Sequence, residues 1–451
     1  MMVGRAGAWL LVTILLSTLF IPVSNAIPGR VDEDPGYMRF PGHAEAVPFV
    51  EAKEIEAKFD LERFPVSLDP PWKIEDTIGD SPEDDESPAL ALNANGTFLA
   101  MWQIKNGSRY DVGYLLSMKG GAWGGGVIKN ATFDARNISI AAFDDGRFMA
   151  IAEDWSNRTR LVRFVTSDEG NSWSIFLMNM ESGAGGYKYV KVSNPGICGA
   201  TNKTPGDTLF GSFEVVTNAS SIPTVGILYS PSGGKTGISY SHFIPQSSAL
   251  RNPRSSVSRS RITGFMRGYI TAEFTNGTNT DAVLLHNNLP SQGLWSTKQY
   301  SPATASWEGD PNIPSDGSTV LWVMRSGSQG DGNIIAMRST DDGKTFGSVV
   351  NVVNSGTNEQ YPSVAIHGNV VWLAYAEGAP TGNWKGVNST DGGSTWGTPV
   401  RVATTINTLV AYSGTGEMVF TGGPPGTLWT DSRQQATQKR NVYFSSAPDL
   451  Y

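Results

Sequence analysis

Apolar positions along this chain fall in short runs rich in β-branched and aromatic residues, and helical periodicity is nearly absent. Residues 149–153 (MAIAE), 270–273 (ITAE), 348–353 (SVVNVV) and 369–377 (NVVWLAYAE) are examples. Gly-rich turns bound the runs, so the pattern predicts an all-β protein of short strands. A self-similar turn recurs among them. Thr166-Ser167-Asp168-Glu169-Gly170-Asn171-Ser172-Trp173 reads as S/T-x-D-x-G-x-S/T-aromatic, and the stretches ending at Phe346 and Trp396 repeat it with Asp341, Gly343, Asp391 and Gly393 in place. A weaker copy, 230–237, keeps the frame without the Asp, and Trp123 and Trp295 close two fragments of it. The eighth positions stand at 123, 173, 237, 295, 346 and 396, a period near 50 residues. Ser, Thr and Asp side chains accept backbone N–H bonds in a tight turn, Gly supplies a positive φ, and the aromatic packs inward. Such a period of short strands describes four-stranded blades around an axis.

These turns resemble the Asp-box, or bacterial neuraminidase repeat, family of β-propellers, which includes the sialidases. The resemblance covers roughly residues 86–447. It implies that each box joins the third and fourth strands of a blade, away from the central site. Asp168, Gly170, Trp173, Asp341, Gly343, Phe346, Asp391, Gly393 and Trp396 are then structural. Sialidases of this family open the first inner strand with Arg-Ile-Pro, and that Arg binds the sialic-acid carboxylate. Here Glu86-Ser87-Pro88 stands at that place, a reversal of charge. The family's Tyr nucleophile has a faint counterpart in Tyr412.

Six box positions give six blades. Runs at 408–412, 417–420 and 442–445 supply three more strands, and an N-terminal strand, with 46–54 as the candidate, would complete that sheet and close the ring. Seven blades is the preferred count and six the alternative.

Residues 1–26 read as an export signal: Arg5, an apolar run over 8–23, and small residues Ser24 and Ala26 at the cleavage site. The run is short for a membrane span, and no later one is long enough. Nine Asn-X-Ser/Thr sequons, at Asn95, Asn106, Asn130, Asn137, Asn157, Asn202, Asn218, Asn276 and Asn388, fit a glycosylated protein that is secreted or held at the cell surface. Net charge is −8, yet residues 27–86 alone carry 17 acidic and 6 basic groups, so the acidity sits in an N-terminal arm, 27–85, reading as a solvated leader. The propeller, 86–451, is near neutral and gives no reason to expect nucleic acid as partner. One Cys and four scattered His exclude a disulfide framework and a His- or Cys-based metal site. No cofactor motif is present, though a structural cation is compatible.

Candidate chemistry falls on the face opposite the boxes. Carboxylates end the second strands: Glu153, Glu214, Glu273, Glu377 and Asp431. Glu308 and Asp310 precede the fifth inner strand, and Trp155, Trp307, Tyr361 and Trp429 lie near loop ends. Carboxylates can hold a cation or supply the acid and base of glycosidic cleavage, and aromatics beside them suit sugar rings. The bland alternative is that repetition alone explains the carboxylates, each ending its strand and pairing with a neighbouring donor, as Arg433 does for Asp431; on the functional reading Arg433 joins the ligand-binding set. Five arginines within 17 residues, Arg251, Arg254, Arg259, Arg261 and Arg267, read as a loop between the third and fourth blades, suited to carboxylate recognition. Three readings stay open: a propeller binding glycans or cell-surface proteins on one face; a sialidase-like glycoside hydrolase with a diverged site, for which Glu377, Asp431, Tyr412 and Asp310 are the catalytic candidates; and a structural envelope component whose acidic arm docks elsewhere.

Overall fold

The computed structural model describes residues 43–63, 76–79, 85–118, 123–129, 131–168, 170–183, 186–200, 207–244, 248–276, 279–289, 293–300, 307–328, 331–378, 382–402, 416–419, 425–431 and 441–446. Seven antiparallel sheets follow one another along the chain. The first blade is built from Asp85–Leu92, Thr97–Asn106, Arg109–Met118 and Trp123–Lys129, and the sixth from Glu359–His367, Val370–Glu377, Asn383–Ser389 and Val400–Arg401. Each pairs in sequence order from the axis outward. Among the described residues there is no α-helix, and none long and apolar enough to cross a membrane.

Seven apolar clusters account for the core, one between each pair of neighbouring blades. Phe148, Phe164 and Trp173 of the second blade meet Leu99, Met101 and Tyr114 of the first. Phe98 and Trp102 of the first blade meet Leu428 and Phe444 of the seventh, which closes the ring. No blade buries its faces alone; each is covered by the next, so closure is the condition for a complete core.

The expectation of four-stranded blades is corrected. Among the described residues, five sheets hold five strands and two hold four. The added strands come chiefly from the N-terminal arm, which runs backward around the outside of the ring. His43–Ala46 pairs with Gly293–Tyr300 of the fourth blade and Val50–Glu51 with Ser239–His242 of the third. Lys53–Glu56 pairs with Ser174–Asn179 of the second and Asp60–Arg63 with Trp123–Lys129 of the first. The fifth blade gains its extra strand internally, from Ser315–Asp316. The strand that completes the seventh blade is Asp76–Gly79, paired with Asn441–Ser446, rather than a strand within 46–54. The arm is therefore no solvated leader over these stretches. Its acidic side chains cap sheet edges with charge, which blunts them against further pairing, and Glu54 forms an ion pair with Arg163.

The box turns lie between third and fourth strands. In the second blade the Gly170 N–H donates to Thr166 Oγ1 at 2.8 Å, and the Ser172 N–H and hydroxyl donate to Asp168 at 2.8 and 2.6 Å. Asp341 and Asp391 hold Thr345 and Thr395 in the same way. Ser232 replaces the Asp in the third blade and still accepts the Thr236 N–H at 3.1 Å.

A strained polar ring around an axial pocket

The inner strands of six blades are kinked at one equivalent position. Ser87, Asn137, Asn194, Asn252, Asp310 and Tyr361 have φ between +48° and +53°, a region non-glycine residues rarely occupy. Pairing with the second strand slips at each of these points, so each is a β-bulge. A proline follows in five of the six, which disfavours the helical alternatives and fixes the chain's exit. Repeated strain of this kind re-aims side chains, and here it turns them onto the propeller axis. They line a pocket of about 250 Å3, with Ser139, Arg254, Asn312, Ser363 and Met418 among the other wall residues.

A second shell of side chains holds the kinks. Residues opposite each bulge on the second strands are Gln103, Glu153, Glu214, Glu273 and Arg325 in blades one to five. Gln103 accepts the Asn137 N–H at 3.1 Å, Glu153 the Asn194 N–H at 2.6 Å, and Glu273 the Asp310 N–H at 3.0 Å. The Asn side chains then donate to the carboxylate of their own blade: Asn137 to Glu153 at 2.7 Å, Asn194 to Glu214 at 3.4 Å and Asn252 to Glu273 at 2.8 Å. Each of Glu153 and Glu273 thus clasps two adjacent blades.

The ring is chemically uneven. In the fifth blade Arg325 takes the position that is Glu in the second, third and fourth blades. It is 4% exposed, stacks on Trp307 at 4.5 Å and donates to Asn358 Oδ1 at 3.0 Å. Asp310 lies beside it, and Asp310 Oδ2 accepts the Tyr361 N–H at 3.5 Å. Burial and the neighbouring Asp310 charge push the Glu273 carboxyl up to about 7. Burial also raises Asp310, against the opposing pull of Arg325, the Tyr361 N–H and Arg254. The Tyr361 phenol is raised by burial and by Asp310. Arg254 lines the pocket and has no hydrogen bond or ion pair among the described residues.

Of the residues singled out from sequence, Asp310 and Tyr361 lie in the pocket wall, and Glu153, Glu214 and Glu273 form the shell behind it. Glu308 is fully buried and accepts the Ser326 hydroxyl at 3.1 Å. Glu377 stands one residue beyond Ala376, the true counterpart of the clasping carboxylates, and binds Lys385 Nζ at 2.7 Å. Trp155 donates its indole N–H to Glu153 at 2.8 Å, while Arg136 and Arg158 lie 3.9 and 3.8 Å from its ring centre. Two guanidinium groups that close cannot share one face, so both faces of Trp155 are covered and no sugar ring can stack there. Trp429 and Asp431 belong to Gly426–Asp431, with side chains outside the described residues, as are Tyr412 and Arg433 altogether. The arginine cluster is not a loop: Arg251, Arg254 and Arg259 belong to the inner strand Ala249–Arg259, and Arg267 is buried against His286.

Asn194, Asn252 and Arg325 were not singled out, and Asn137 was marked only as a sequon. The legible signal was the series Ser-Pro, Asn-Ile, Asn-Pro, Asn-Pro, Asp-Pro and Tyr-Pro beginning at 87, 137, 194, 252, 310 and 361, whose spacing follows the box period.

No family model and no curated protein matches the chain. Among solved structures, the NanB sialidase of Streptococcus pneumoniae is similar at 10% identity and TM-score 0.42, over 83% of this chain and 70% of that one. The intramolecular trans-sialidase of Ruminococcus gnavus is similar at 13% identity and TM-score 0.43, over 83% and 96%. An ulvan lyase of a polysaccharide lyase family is similar at 9% identity and TM-score 0.49, over 82% and 95%. At this level the likeness concerns the propeller architecture alone.

Proposed function

We propose that the chain is an exported glycan-binding propeller whose axial pocket receives an acidic sugar. The observation that carries this reading is Arg254, a guanidinium in the pocket wall that makes no hydrogen bond or ion pair among the described residues. Arginine's fork of donors suits a carboxylate or sulfate, and Glu273 and Asp310 act on Arg254 through charge alone, which leaves those donors for a ligand. Below neutral pH the Glu273 carboxyl, raised to about 7, is largely protonated, which leaves less negative charge beside Arg254 and Arg325. Asn and Ser side chains around the pocket are suited to sugar hydroxyls. The apolar leader and the nine sequons support export.

Glycoside cleavage is the second reading, favoured by one feature: Asp310 lines the pocket directly beside Glu273, and both carboxyls are raised. Such pairs supply the acid and base of hydrolysis. Calorimetric titration with short uronate and sialate oligosaccharides, against neutral sugars of equal length, tests the first reading. Binding confined to the acidic sugars and weakened about tenfold or more in Arg254→Ala is expected, the worth of one charge-assisted contact. Equal affinity in Arg254→Ala, or no binding at all, would overturn it. Turnover of the same sugars that vanishes in Asp310→Asn would establish the second reading instead.

A further inference from the structure

The pocket wall continues outward into a second cationic feature. Asn252 of the fourth blade accepts from Asn194 Nδ2 of the third at 3.4 Å, and Asn194 donates its N–H to Glu153 of the second. Glu153 holds the Trp155 indole N–H, and Trp155 carries Arg158 on one face and Arg136 on the other. Along the same route Arg251 Nη1 lies 3.7 Å from Glu214. One bonded path therefore leads from the axis, past the third blade, to the exposed side of the second.

The two guanidiniums on Trp155 differ in what they have left to give. Arg136 is spent on Asp134, to which it donates from Nε at 3.2 Å and Nη2 at 2.8 Å. Arg158 is exposed, and its guanidinium has no hydrogen bond or ion pair among the described residues. Stacking occupies the flat face of a guanidinium and leaves its in-plane N–H donors directed outward. The ring beneath is itself pinned through Nε1, so the ordering cost that an exposed arginine meets on binding is largely met beforehand.

We propose that Arg158 on Trp155 is a second anion subsite of the axial pocket, and that the ligand is an acidic polysaccharide chain running from Arg254 outward past Arg251 to Arg158. The proposal rests on the pocket reading above and adds chain length as the property recognised. Repeated carboxylates or sulfates along a polymer would meet two separated guanidiniums, whereas a mono- or disaccharide meets one. If Arg158 only steadies its loop through the stack, ligand length is irrelevant.

The test is calorimetric titration of the full chain with oligogalacturonates of two to eight units and, in parallel, a sulfated oligosaccharide series of the same lengths. The longer members of one series should bind about tenfold tighter than its dimer, as one added charge-assisted contact predicts. Arg158→Ala should abolish that gain and leave dimer affinity unchanged, and Arg158→Lys should recover part of it. Whichever series shows the gain identifies the anion. Affinity independent of length, or an Arg158→Ala loss equal at all lengths, would overturn the subsite while leaving the pocket reading intact. Absence of binding in both series overturns the subsite, and with no sialate binding either it overturns the pocket reading as well.

Discussion

Six non-glycine residues with positive φ carry the site, and five of them, Asn137, Asn194, Asn252, Asp310 and Tyr361, are kept there by a bond their own side chain or N–H makes. Holding an L-residue in this region costs about 1–2 kcal/mol. Asn194→Ala would retain that cost and forfeit the amide contacts to Glu214 and Asn252, whereas Asn194→Gly forfeits the contacts but relieves the strain. The Ala variant should therefore be less stable than the Gly variant by about 1 kcal/mol in urea titration. Asn137 is a sequon, yet its Nδ2 lies 2.7 Å from Glu153 inside the ring. Expression in a glycosylating host should leave Asn137 bare while the exposed Asn95, Asn106 and Asn218 are open to modification, as glycopeptide mass spectrometry would register. Glu273 also sets a pH dependence. Its native carboxyl titrates near 7 rather than 4.5, so the folded state binds more protons between these values and stability falls as pH rises through that window. His242, buried and lowered to about 4 from 6.5, acts oppositely, its neutral form losing ground as pH falls below 6.5. Thermal midpoints of Glu273→Gln against the parent across pH 4–8 isolate the first effect: the difference should shift in the variant's favour as pH rises to 7, and a flat difference would refute it.

At the scale of single elements, box turns and hairpins use glycine for different reasons. Gly393 has φ +90°, and a Cβ there would sit 2.6 Å from Leu321 of the neighbouring blade. Gly107, in the hairpin between Thr97–Asn106 and Arg109–Met118, has φ +63° with nothing within 4 Å. Gly107→Ala should cost about 1 kcal/mol for the backbone alone, and Gly393→Ala more, since the buried Leu321 side chain must also give way. Equal costs would mean the box does not brace the interface. Much of this was legible beforehand. The box spells out its own hydrogen bonds, because Ser or Thr, Asp and Gly act within eight residues of one another. The inner-strand kinks have a local mark too, the X-Pro repeat, but its meaning depends on carboxylates 16 to 41 residues away, within the blade and across to the next.

The whole molecule depends on a ring closed by two distant parts of the chain. Asp76–Gly79 supplies the outer strand of the seventh blade, and the strands before it edge the fourth, third, second and first. A chain beginning at residue 76 should keep the closure and lose only outer strands. One beginning at residue 85 lacks the closing strand and should unfold at a markedly lower temperature. Calorimetry of both forms checks this, and equal midpoints would assign closure to the C-terminal strands alone.

The sequence by itself determined the all-β class, the repeat that makes blades and the turns that join their outer strands, because each follows from contacts within about 50 residues. It also marked Asp310 and Tyr361, though not the reason they matter. Only the tertiary structure decided the seven-membered count, the backward course of the arm, and the joining of Glu273, Asp310, Arg254 and Arg325 around one pocket. Arm strands of two to four residues have too little pattern to choose their own partner, so the choice falls to whichever sheet edge the folded ring presents. Buried charge is likewise a property of the assembled ring, since the low-dielectric surroundings that raise Glu273 exist only after seven blades have met.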